Sequence, residues 1–238
     1  MTTQSNASFV ATTDRLHELA AADPARAIPD CPGWDARRLI GHMGSVFAMV
    51  ANLVAERATA FVPPRDDQKD PGGSATFDWY RVRRSELLEA LATRRDGDVQ
   101  WSWTDDHTVG FLRRRMIFES AVHLADLERA SGVVPTIERS VAVDGIDEFY
   151  GLMAPAAVGR GRAVPSGSLH LHCTDGPGEW SIRPENGSML MSHEHSKCDV
   201  AWRGPAVSLF LRAWGRKVDD VEVFGSTAVS AEWTRVAM

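Results

Sequence analysis

One segment of the sequence places charged and titratable side chains where its own pattern requires apolar ones. The helical periodicity of residues 109–131 puts Glu119 and His123 on the face that also carries Leu112 and Met116. A buried carboxylate is costly unless it is paired or coordinates a metal ion. Because residues four apart lie on the same side of a helix, Glu119 and His123 could bind one ion together.

A third ligand would have to come from another helix, and His42 is the candidate. It interrupts the apolar stripe of a second predicted helix between Leu39 and Val46. Two imidazoles and one carboxylate leave coordination positions open, which suits catalytic zinc and also the facial triad of non-haem iron. A hydrogen-bonded core histidine and a simple Glu–His pair within one helix would explain the same residues, so spacing alone leaves both interpretations open.

The elements that would position these residues form a helical first half. Apolar periodicity predicts four long helices, over residues 5–21, 34–58, 76–94 and 109–131. A polar segment rich in proline and glycine, residues 61–75, separates the second helix from the third. Four helices in series predict an antiparallel bundle, in which the second and fourth could bring the three ligands together.

The second half changes in character after a fifth predicted helix over residues 142–156 and a linker over 158–167. Alternating patterns predict strands over 168–174, 178–184, 188–194 and 221–226, with a helix over 205–217. The sequence therefore predicts a helical bundle over 1–157 and a smaller α+β domain over 158–238. Two pairs of strand histidines, His170 with His172 and His193 with His195, favour exposed surface positions over a second metal site.

Composition narrows the class of protein. Lys and Arg number 26 against 32 Asp and Glu, and the resulting net charge of −6 argues against a nucleic-acid partner. No apolar run approaches the ~20 residues of a membrane span, and the start has no signal-peptide pattern, so we expect a cytoplasmic protein without a membrane partner. The scattered Cys31, Cys173 and Cys198 predict neither disulfides nor a cysteine metal site, and Cys31 is expected to be structural.

Three stretches in the right order resemble one known family. They are IPDCPGWDARRLIGHMGSVF at 28–47, RRRMIFESAVHLADLERASG at 113–132 and VAWRGPAVSLFLRAWGRK at 200–217. Together they resemble the mycothiol-dependent maleylpyruvate isomerase family over nearly the whole chain. The resemblance implies a DinB-like four-helix bundle followed by a sterol-carrier-like α+β domain.

The resemblance also implies a ligand set and a cofactor. Zinc would be held by His42, Glu119 and His123. Arg115 and Asp126 fall in the same pattern on the fourth helix. Asp126 would either orient a ligand from behind or accept a hydrogen bond from Arg115.

A further residue implied by the resemblance is Arg216, which follows Trp214 and Gly215. A carboxylate-bearing substrate is well matched by a guanidinium, which can form two parallel hydrogen bonds. The ordinary alternative is an arginine that interacts with the end of the preceding helix. The resemblance favours the substrate contact.

The function implied is a zinc-dependent enzyme that uses mycothiol as its thiol. The thiolate would add to a small electrophile, and in the isomerase it adds to the cis double bond of maleylpyruvate, allows rotation and then leaves. Two alternatives remain open: a mycothiol S-transferase that acts on another electrophile, and a non-catalytic metal-binding or regulatory bundle protein. The sequence indicates neither the electrophile nor the oligomeric state.

Overall fold

The chain folds into two compact units, Met1–Thr136 and Ile137–Met238. The computed structural model describes residues 3–236, with side-chain surroundings from residue 7 onward.

Four long helices in the described part of the first unit form the predicted bundle. They are α1 (Thr3–Ala22), α2 (Ala36–Ala55), α3 (Ala75–Ala92) and α4 (Val109–Ala130), with a short 3-10 helix over Asp66–Gln68. Helix α2 packs chiefly against α3, and α1 packs against α4. The fold class predicted for this half is confirmed.

Helix α2 is the central helix of the bundle, and its apolar face is almost fully buried. Gly44 lets α3 approach closely, because a Cβ at this position would overlap the ring of Trp79. By length and composition Ala36–Ala55 could also cross a membrane, but 67% of its most apolar window is buried inside the protein. A core helix of a bundle meets the same criteria, so this pattern is explained by packing.

Side-chain caps fix the starts of the two helices that carry the candidate ligands. Asp35 accepts a hydrogen bond from the backbone N–H of Arg38 at 2.7 Å, ahead of α2. Thr108 accepts one from the backbone N–H of Phe111 at 3.1 Å, ahead of α4. Each cap satisfies an N–H group that has no partner within its helix, and so defines where the helix begins.

The second unit is a mixed sheet packed against helices. In the order β3-β2-β1-β4-β5, its strands are β1 (Leu169–Cys173), β2 (Glu179–Glu185), β3 (Ser188–Ser192), β4 (Val200–Gly204) and β5 (Glu222–Gly225). Strands β1 and β4 are parallel, and the other neighbours are antiparallel. The helices are α5 (Arg139–Glu148), a π-helical turn (Phe149–Met153), α6 (Ala154–Gly159), α7 (Ala206–Ala213) and α8 (Thr227–Arg235).

The division between the units lies earlier in the chain than the predicted boundary at 157/158. Helix α5 belongs to the second unit because it packs against α7, so closely that a Cβ at Gly145 would overlap the ring of Phe210. Asp147 of α5 also accepts a hydrogen bond from the indole N–H of Trp180 on β2, at 2.6 Å.

Other elements of the second unit differ from the sequence pattern. The predicted helix over 142–156 widens into the π-helical turn just before Pro155, which has no N–H to continue the helical ladder. The helix predicted over 205–217 ends at Ala213, ahead of Gly215 with its positive φ of 78°. Strand β4 and helix α8 were not predicted.

Candidate metal centre

Helices α2 and α4 bring His42, Glu119 and His123 together. Glu119 Oε1 lies 3.3 Å from His42 Nε2 and 3.4 Å from His123 Nε2. The ligand atoms of all three side chains lie within 4.8 Å of one another. The Glu119–His123 pair on α4 and His42 on α2, which the sequence pattern singled out separately, thus lie in one cluster.

The cluster fits a small tetrahedral ion. Zinc bonds of about 2.0–2.2 Å to nitrogen and oxygen place neighbouring ligand atoms about 3.2–3.6 Å apart in a tetrahedron. The two separations from Glu119 Oε1, 3.3 and 3.4 Å, match that spacing, and the two histidine nitrogens lie within 4.8 Å of each other. The side chain of His123 is 9% exposed, whereas that of His42 is 33% exposed, so the cluster opens to solvent on the His42 side. An ion held there could accept a further ligand from outside.

Two more side chains of α4 hold the candidate ligands in place. Asp126, which is fully buried, lies with its Oδ2 at 3.0 Å from His123 Nδ1. When Asp126 holds a ring proton on Nδ1, the Nε2 atom of His123 can bind an ion in place of its hydrogen bond to Glu119. Arg115 donates to Glu119 Oε2 at 2.6 Å, which leaves Oε1 to the two histidines. Of the two roles left open for Asp126, the structure shows the contact with His123.

The charges around the cluster shift the pKa values of two of the candidate ligands. Burial by itself would raise the pKa of Glu119, but the Arg115 charge and hydrogen bonds from His123 and His42 hold that pKa well below its usual value. Burial by itself would lower the pKa of His123, but hydrogen bonds with Asp126, Cys31 and Glu119 raise it well above 6.5. These contacts favour a positive charge at His123, which a proton or a metal ion could supply.

The turn before α2 adds Cys31 and Trp34 to the surroundings. Backbone hydrogen bonds close this turn, including Trp34 N–H to Cys31 O at 2.9 Å. The Trp34 ring stacks parallel to His123 at 6.3 Å and lies 5.0 Å from His42, centroid to centroid. Trp34 therefore forms an apolar wall beside both imidazoles.

Sequence reasoning missed the position of Cys31, which was expected to be structural. Its thiol donates to Asp126 Oδ2 at 3.5 Å, and Cys31, His123 and Asp126 form a second possible ligand set. That set would need the thiolate and would break the bond between Asp126 and His123. The set with His42 keeps that bond and is favoured. The one signal in the sequence that could have placed Cys31 near the cluster is its closeness to Trp34, which lies beside both histidines.

Arg216 belongs to the second unit, just after α7. Its guanidinium donates to the backbone carbonyl of Trp214 at 2.8 Å, and the side chain is half-buried. Its contact with a substrate stays a prediction.

Fold and site together define a class: a helical-bundle protein with a half-buried cluster of two histidines and a glutamate, followed by an α+β unit. Residues 6–128, slightly more than half of the chain, match the family described as the mycothiol maleylpyruvate isomerase N-terminal domain. The chain belongs to this family. No curated protein and no solved structure shows a significant match to it.

Proposed function

We propose that the protein is a zinc-dependent enzyme that uses mycothiol to attack a small electrophile, with cis–trans isomerisation of a maleylpyruvate-like substrate as the reaction. The observation that carries this proposal is the half-exposed cluster of His42, Glu119 and His123, whose spacing fits one tetrahedral ion. The family supports mycothiol as the thiol.

Zinc bound to these three residues would lower the pKa of a thiol at its open position, so that the thiol reacts as a thiolate near neutral pH. The chain itself supplies rigidity and charge. Asp126 holds the His123 ring in one orientation, and Arg115 holds Glu119 ionised. Trp34 excludes water from one side of the imidazoles. Because these side chains are already held in position, little free energy is spent on reorganising them when the thiol binds.

The reacting sulfur is proposed to come from outside the chain. Cys31 is the cysteine beside the cluster, and its thiol is already hydrogen-bonded to Asp126. In the isomerisation, the mycothiol thiolate forms a C–S bond to one carbon of the cis double bond, and the electron pair moves onto the conjugated carbonyl. After rotation about the resulting single bond, the C–S bond breaks and the trans double bond forms. The thiolate is regenerated, and no oxidant or reductant is needed.

Arg216 is proposed to contact a carboxylate of the substrate. Its planar guanidinium can form two parallel hydrogen bonds to a carboxylate, which a lysine cannot do. The contact would fix the orientation of the electrophile while the thiol adds.

The proposal is tested by incubating the zinc-loaded protein with mycothiol and maleylpyruvate while following both compounds. Loss of maleylpyruvate with constant mycothiol supports the isomerase. Loss of mycothiol with formation of an adduct, here or on a panel of electrophiles, would instead show an S-transferase. No reaction with any of them would contradict an enzymatic role and favour a binding or regulatory protein. The matched control is His17→Gln, which replaces a bundle histidine that packs against Tyr80 away from the cluster.

A further inference from the structure

The outer face of the sheet in the second unit carries an unexpected polar cluster. His170 and His172 lie on one face of β1, and the pairing register places Glu179 of β2 opposite His172. Leu169 and Leu171, on the other face of β1, are fully buried. Strand alternation thus separates an apolar inner face from a face rich in imidazole and carboxylate groups.

The segment 193–199, which follows β3, covers part of this outer face. The hydroxyl of Ser181 donates to the carbonyl of Glu194 at 2.9 Å, and the Arg183 guanidinium donates to the Ser196 hydroxyl at 2.8 Å. These bonds anchor the segment to β2. They place His195 over the sheet, with its ring perpendicular to that of His170 at a centroid distance of 4.8 Å.

His170 differs from the exposed histidine that the sequence pattern favoured. It is only 6% exposed, and its Nε2 atom has no hydrogen-bond partner within residues 3–236. A buried ring nitrogen without a partner is energetically unfavourable, and a bound ion would satisfy it. Burial, the largest cause, and the neighbouring His195 lower the pKa of His170, which favours the neutral imidazole that binds metal ions.

We propose that His170, Glu179 and His195 form a second metal site, which would bind a divalent transition-metal ion such as Zn²⁺. The ligand atoms of these three residues lie within 4.8 Å of one another. Imidazole and carboxylate ligands suit zinc and its neighbours in the first transition series, whereas calcium and magnesium prefer oxygen alone.

His172 acts in this site as a positioning residue. Its Nδ1 lies 2.6 Å from Glu179 Oε1, and His195 Nδ1 lies 3.1 Å from the same oxygen. His172 thereby fixes the carboxylate at the edge of the cluster. An open cavity of about 440 Å³ borders His172 and Glu179 and gives water access to the Glu179 side of the site.

A bound ion would join three parts of the second unit. His170 lies on β1, Glu179 on β2 and His195 in the segment 193–199. The ion would therefore hold this segment against the sheet and slow its local opening. The inference does not depend on the proposed function, because none of its ligands belongs to the bundle.

The first test measures zinc binding in a background that lacks the bundle centre. Metal-free His123→Ala protein should bind one equivalent of Zn²⁺ in calorimetry. The double variant His123→Ala/His195→Ala should bind at least tenfold more weakly. His195 is 74% exposed, so its replacement leaves the fold intact. Equal binding by the two proteins, or no binding by the first, would overturn the second site.

The matched control is His193→Ala in the same background. His193 lies in the same segment, but its Nε2 faces Asp147 at 3.3 Å, and it is not one of the three ligands. This variant should keep the zinc affinity of its parent. A loss as large as that of His195→Ala would show that the segment as a whole matters and would contradict the assigned ligand set.

A second measurement follows the segment itself by amide hydrogen exchange. Zinc should slow exchange within 193–199 in His123→Ala protein and have no effect there once His195 is also replaced. Bound zinc that leaves this exchange unchanged would contradict the role of the ion. These outcomes are separate from those of the thiol assay, which reports on the bundle centre of the unmodified protein.

Discussion

The two clusters of the molecule contain the same ligand types, two histidines and one glutamate, but they are built differently. The bundle cluster lies on two long helices, and each ligand on α4 has a further charged partner, Arg115 for Glu119 and Asp126 for His123. The sheet cluster takes one ligand from an irregular segment, and the Glu179 carboxylate is bonded by two neighbouring histidines, His172 and His195.

This difference predicts a difference in affinity. Ligands that packing and outer hydrogen bonds already hold in position lose less freedom when an ion binds. The carboxylates of Glu119 and Asp126 also flank His123, and Asp126 is fully buried, so this ring lies where a positive charge is favoured. We therefore expect the bundle centre to bind zinc at least tenfold more tightly than the sheet cluster.

The largest effect is expected from His123→Ala. Loss of a direct ligand should weaken zinc binding at the tight site by more than the ~10–100-fold typical of an outer partner, and thiol-dependent activity should disappear. Competition with a chromophoric chelator measures the affinity. His17→Gln serves as the control and should retain the tight site. A His123→Ala protein with unchanged tight binding would show that the ligand set is wrong.

A smaller effect is expected from Asp126→Asn, which keeps the size of the side chain but removes its charge. Zinc affinity of the bundle centre should fall by about 10–100-fold, because the amide no longer holds His123 in the binding tautomer. Glu128→Gln is the control, since Glu128 is another buried acid of α4 and bonds the backbone N–H of Thr136 instead. If both variants lost zinc equally, Asp126 would act only through helix stability.

Arg216→Lys addresses the proposed substrate contact and should leave both clusters intact. The variant keeps the charge but loses the paired hydrogen bonds. Transition-state stabilisation should therefore fall by about 2 kcal/mol, which lowers kcat/KM roughly thirtyfold. Zinc content should equal that of the unmodified protein. Unaltered kinetics with the true substrate would contradict the substrate contact and leave Arg216 a structural role, such as its bond with the Trp214 carbonyl.

The smallest effect concerns Asp199, which ends the segment that carries His195. Hydrogen bonds from the Ser168 backbone and hydroxyl lower the pKa of Asp199 below its ordinary value of 3.8. Because this pKa is lower in the folded state, the ionised carboxylate stabilises the fold at pH values above 3.8. That stabilisation is lost as the pH falls through the folded-state pKa. Asp199→Asn should therefore lower Tm at pH 7, and this deficit should shrink as the pH falls below 3.8.

The control for this pH dependence is Glu185→Gln, which removes an exposed carboxylate at the end of β2. Its Tm should follow that of the parent at every pH. An Asp199→Asn deficit that persists unchanged at low pH would show that the ionised carboxylate is not the source of the stability.

The two regions also differ in how far the sequence predicts them. Helical periodicity was sufficient to predict the bundle and its cluster. A polar residue that interrupts an apolar stripe, such as His42 or Glu119, points toward the interior. The burial of His170 could not be predicted, since strand alternation gives its face but not the segment 193–199 that covers it. The contact of Cys31 with Asp126 likewise depends on the placement of a turn by residues far away in the chain.

The most direct test of the central claim is X-ray absorption at the zinc edge of His195→Ala protein, in which the sheet cluster is weakened. The account predicts only nitrogen and oxygen neighbours before mycothiol is added and a sulfur neighbour afterwards. A spectrum unchanged by saturating mycothiol would contradict thiol activation at the bundle centre. A sulfur neighbour already present without the thiol would replace the His42 ligand set with one that includes Cys31.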